Sequence, residues 1–98
     1  MRKVYSEDMA ASLTAAADRL AEARDATAFV AAMRDQRLLW RGMRHLAPRL
    51  GYKIPDRMMD YSMSILGKPD GEWNDQEIES LIAIDRSLSR AFMRQSAE

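Results

Sequence analysis

Apolar residues recur along most of this chain at spacings of three and four, as they do on helices with one buried face. Met9, Leu13, Ala16 and Leu20 mark a first helix over about residues 6–23, with Ser6 as its cap and Glu7 and Asp8 at its positive end. Alanine favours helix but buries little area, so this element is expected to form and to dock only lightly. Phe29, Val30, Met33, Leu39, Trp40, Met43 and Leu46 give a wider stripe over residues 25–46. That helix is the expected spine, with Phe29 and Trp40 as its largest core candidates. Pro48 is placed to end it and Gly51 to turn the chain.

A third helix is predicted over residues 55–66. Pro55 stands in its first turn, where a missing donor is harmless, and Gly67 is its stop. The fourth, over residues 74–94, has the clearest start. Asn74 and Glu77 approximate a capping box, and Trp73 and Ile78 are placed as a hydrophobic staple. Ile78, Leu81, Ile84, Leu88 and Phe92 form its apolar stripe, with acids early and arginines late as the helix dipole prefers. No segment alternates with the period of a strand. The expected fold is all-α: one domain over residues 1–98, a compact antiparallel bundle of about four helices.

Composition narrows the chemistry. Fifteen basic and fifteen acidic residues cancel, so no overall field calls for nucleic acid or an anionic membrane. Locally the balance is uneven: residues 25–54 hold six basic and two acidic residues, a surplus of +4. The chain has no cysteine, which excludes disulfides, thiolate zinc and thiol catalysis. No charge-free stretch approaches the roughly 20 residues that span a bilayer. Met1-Arg2-Lys3 has the look of a signal-peptide start, but Glu7 and Asp8 follow, and a cytoplasmic location without membrane contact is expected.

No catalytic, cofactor or metal site emerges. Asp56 and Asp60 share a face, but two carboxylates alone make a poor cation site. The single histidine, His45, is placed to serve the last carbonyls of the second helix. The helical serines lack a nucleophile-elbow pattern, and the four glycines are isolated. A non-enzymatic protein is expected. Two features point to a partner instead. Arg34, Arg37, Arg41 and Arg44 line one side of the second helix, and Arg37, Arg41 and Arg44 are the candidate docking cations. Three methionines crowd the third helix; Met59 and Met63 share a face suited to an adaptable apolar groove, while Met58 points elsewhere. A solvated arginine face and a methionine-filled core are the plain alternatives.

Gln36-Arg37-Leu38-Leu39-Trp40, then Ile54-Pro55-Asp56-Arg57, then Leu81-Ile82-Ala83-Ile84-Asp85-Arg86-Ser87-Leu88 follow in an order that resembles the flagellar biosynthesis regulator FlaF family of alphaproteobacteria. Members show an Asn-Arg pair before a Leu-Trp, a Leu-Pro opening the next helix, and a Leu-Ile-x-Ile-Asn-Arg segment near the end. The resemblance covers about residues 27–93. Gln36 and Asp85 stand where the family favours asparagine, and Ala91 where it favours glycine. The resemblance implies a small helical cytoplasmic protein that binds flagellin and supports its synthesis and export. It further implies that an FlbT-family regulator acts alongside. Flagellin termini fold as amphipathic helices on assembly, and an apolar groove would cover them reversibly. The alternatives are an RNA-binding translational regulator of flagellin mRNA and a helical interaction module of another system. Zero net charge and the lack of aromatics among the arginines weigh against nucleic acid.

Overall fold

The computed structural model describes the backbone of residues 2–97 and the side chains of residues 5–95. Met1 and the side chains of Arg2 and Lys3 lie outside the described residues. Helix α1 spans Arg2–Glu22, α2 Ala26–Leu46, α3 Asp56–Leu66 and α4 Asp75–Ala97, with no strand among the described residues. The fold is an all-α helical bundle, as the apolar spacing predicts.

Local chemistry sets the helix ends. Asp25 caps α2 by accepting from the Ala28 amide at 2.8 Å. Asn74 and Glu77 form a reciprocal capping box: the Glu77 amide donates to Asn74 Oδ1 at 2.8 Å, and the Asn74 amide to Glu77 Oε1 at 3.1 Å. Pro48 does not stop the coil outright. Residue 47 keeps right-handed helical angles, and the chain makes one more turn before Gly51, at φ 80°, ends it. The Gly51 amide then bonds to the Pro48 carbonyl and the Tyr52 amide to the Ala47 carbonyl, the paired bonds of a Schellman motif. Gly67 ends α3 in the right-handed region (φ −80°), so its role is space rather than handedness. A Cβ there would lie 3.2 Å from the Met63 carbonyl oxygen.

Two expectations about α1 are overturned. Ser6 is not its cap; it lies inside the helix, buried, and its Oγ donates to the Phe92 carbonyl at 2.6 Å. Nor is α1 lightly docked. It packs antiparallel against α4 as the most intimate helix pair in the molecule. Ser89 Oγ donates to the Ala10 carbonyl at 2.8 Å, which leaves Thr14 Oγ1 as the donor in its own 2.8 Å bond to Ser89 Oγ. Asp18 and Arg86 close the seam at 3.1 Å. Small side chains let two helix backbones come close, and the hydroxyls then reach across to the facing carbonyls.

By contrast, α2 and α4 meet through long side chains. Trp40, Met33 and Met43 of α2 and Leu81, Leu88 and Phe92 of α4 are all buried in one core with Leu13 and Ile65. Phe29 is only half-buried, edge-on to Trp73 with ring centroids 5.7 Å apart.

Candidate functional site

The apolar stripe of α4 runs Leu81, Asp85, Leu88, Phe92, and that of α2 runs Met33, Gln36, Trp40, Met43. Each helix therefore places one polar residue on its core-facing row, and the fold brings the two together. Gln36 Nε2 donates to Asp85 Oδ2 at 2.5 Å, and Trp40 Nε1 donates to Asp85 Oδ1 at 3.0 Å. Asp85 and Gln36 are fully shielded from solvent. Burial pushes the Asp85 carboxyl up to about 6, against the opposing pull of the two donors and of Arg86. Gln36 Oε1 is left without a protein partner, as is the buried Ser62 Oγ. The arrangement can hold a proton and tie two helices, but it opens to no substrate.

The predicted docking residues do not form one surface. Arg37 is drawn away from Arg41 and Arg44 into the junction of α3 and α4. Its Nε donates to the Leu66 carbonyl at 3.0 Å and its terminal nitrogen to the Lys68 carbonyl at 3.2 Å and Asp70 Oδ1 at 2.9 Å. The guanidinium also stands 5.4 Å from the centre of the Trp73 ring. Carbonyls left over at the end of a helix need donors, and Arg37 supplies them. Trp73 Nε1 donates to the Ile65 carbonyl at 2.8 Å, and Lys68 meets Glu77 at 2.6 Å. That ion pair and the capping amide hold the Glu77 carboxyl below its ordinary value.

Arg34, Arg41 and Arg44 remain exposed. Met59 and Met63 are both half-buried against the core, so neither is simply a groove residue or simply filling. Arg44 and Met59 do come together, at a cleft of about 150 Å³ whose wall includes Tyr52, Ile54 and Asp56. Met58, which sequence spacing set aside, lines a second cleft of about 250 Å³ between the start of α3 and the last turns of α4. His45 is exposed at the end of α2.

Among the described residues no three His, Cys, Asp or Glu side chains gather as a metal site, and no helix is long and apolar enough to cross a membrane. No protein-family model, curated protein or solved structure matches the chain.

Proposed function

We propose that this chain is a non-enzymatic helical protein that binds flagellin subunits and supports their synthesis and export. One observation carries the reading. The segments on which the family resemblance rests, far apart in sequence, meet in one place: Gln36 and Trp40 of the first clasp Asp85 of the last, and Ile54 of the second lies in the same core. Motifs that build a scaffold rather than a reactive cleft fit a protein whose work is to hold a partner. The exposed Arg41 and Arg44 and the half-buried Met59 and Met63 are the residues offered to it. Arg37 leaves that set, because its donors are spent inside the fold.

Titration of the purified protein into monomeric alphaproteobacterial flagellin tests the proposal, with saturable binding as the expected result. Arg41→Glu with Arg44→Glu should slow association more than it speeds dissociation, since exposed charges steer encounter. Met59→Ser should instead speed dissociation. Absence of binding to flagellin, with steeply salt-dependent binding to its leader transcript, would move the assignment to RNA.

A further inference from the structure

The cleft beside Met58 has a chemistry of its own. Its floor is Met58, Leu88, Ala91 and Phe92, Lys53 and Arg94 stand at its rim, and among the described residues no acid lines it. In a chain with as many acids as bases, an apolar cleft whose charged residues, among those described, are both cations favours a partner of negative charge. On the opposite side of α4, the open groove against α1 is lined by Glu7 and by Asp18, the latter paired with Arg86, beside an exposed Met93.

Shape narrows the occupant further. Lining residues of α4 run from Ser87 to Gln95, so the track is roughly 12 Å long at about 1.5 Å per residue. Ala91 sits midway along it, and a small side chain there lets another backbone approach. Met58 is half-buried, and a thioether can adjust to the side chain it meets. We infer that the cleft between the start of α3 and the end of α4 docks an acidic amphipathic helix of a partner protein. One large apolar side chain of that helix enters between Met58 and Ala91, and its flanking carboxylates meet Lys53 and Arg94. This rests on the reading of the chain as a holder of partner helices, and it adds which face holds them and which sign of charge they carry.

A designed peptide of about 20 residues, long enough to be helical, with leucine anchors flanked by glutamates, is the probe. Its twin carries lysine at every glutamate position. Methyl and amide spectra of the full chain should show the acidic peptide perturbing Met58, Leu88, Ala91 and Arg94, and the lysine twin leaving them in place. Lys53→Glu with Arg94→Glu, both at exposed positions, should weaken the acidic peptide about tenfold and turn preference toward the lysine twin. Ala91→Trp should fill the cleft and abolish binding, with circular dichroism confirming the fold. Equal binding of both peptides, perturbation confined to other faces, or wild-type affinity in the charge-reversed variant overturns the inference. Flagellin binding with a silent cleft overturns this inference alone. Peptide binding in the cleft without flagellin binding overturns the cargo alone.

Discussion

Asp85 sets the most distinctive physical property of the chain, because it is a carboxylate in a place built for an apolar side chain. Its proton affinity is raised to about 6 by burial, against an ordinary value of 3.8. A carboxyl with a raised native pKa binds its proton more tightly in the folded state than in the unfolded one. The stability this contributes is fully present below pH 3.8 and is lost as pH rises through about 6. A shift of that size corresponds to ~3 kcal/mol. Asp85→Asn removes the charge and keeps an acceptor for Trp40 Nε1. A rotated Gln36 amide could then offer its presently unpaired oxygen to the asparagine. Chemical denaturation should find the Asn variant more stable at pH 7.5 by about 1–3 kcal/mol, with the difference vanishing near pH 4. Comparing variant with wild type cancels the opposite trend from Glu77, whose lowered pKa adds stability above its ordinary range. A variant less stable than wild type at pH 7.5 would show that the carboxylate is held favourably. The core position of Asp85 could be read from its place between Leu81 and Leu88 on the row of α4. Apolar spacing runs the row through Ile84 instead, because a carboxylate at a core position goes against the ordinary preference of charges for the surface.

At the scale of the helix, what sequence reveals depends on whether a signal is local. The α4 capping box involves residues three apart, and Asn74 and Glu77 bond as their spacing requires. Asn74→Ala should cost about 0.5–2 kcal/mol, read as a lowered denaturation midpoint with an unchanged slope. The α1–α4 seam could not be weighed that way. Its strength comes from Ser6 meeting Phe92 and Ala10 meeting Ser89, 86 and 79 positions apart, whereas helix propensity counts alanine as a helix former and not as an interface. Ala10→Leu puts three extra carbons into the buried seam where the Ser89 hydroxyl meets the Ala10 carbonyl, and it should cost about 1–3 kcal/mol. Helix propensity alone predicts little change, so a thermal melt separates the two accounts. Arg37 is likewise set by distant partners. Spacing placed it on an arginine face, but carbonyls at the end of α3, 29 and 31 residues away, claimed it.

The whole molecule is held in two unlike ways. Backbone-close packing joins α1 to α4, whereas α2 reaches α4 through Trp40 and Gln36, and α3 is pinned from α2 by Arg37. Trp40 therefore fills the space between two helices and satisfies a buried carboxylate at once. Its truncation to alanine should cost roughly 3–5 kcal/mol in packing, with a further loss because Asp85 gives up a donor. Against a total of about 5–15 kcal/mol for a domain, that leaves little margin. Trp40→Phe is the more telling change, since it keeps most of the ring and removes the indole donor. Native-state hydrogen exchange should then show α2 and α3 opening at lower free energy than α1 and α4, because the α1–α4 seam does not pass through residue 40. Combining Trp40→Phe with Asp85→Asn should recover part of the loss, as the two residues share one bond and their effects cannot be additive. Uniform loss of protection across all four helices would instead mean that the bundle opens as one unit, with Trp40 at the centre of a single cooperative core.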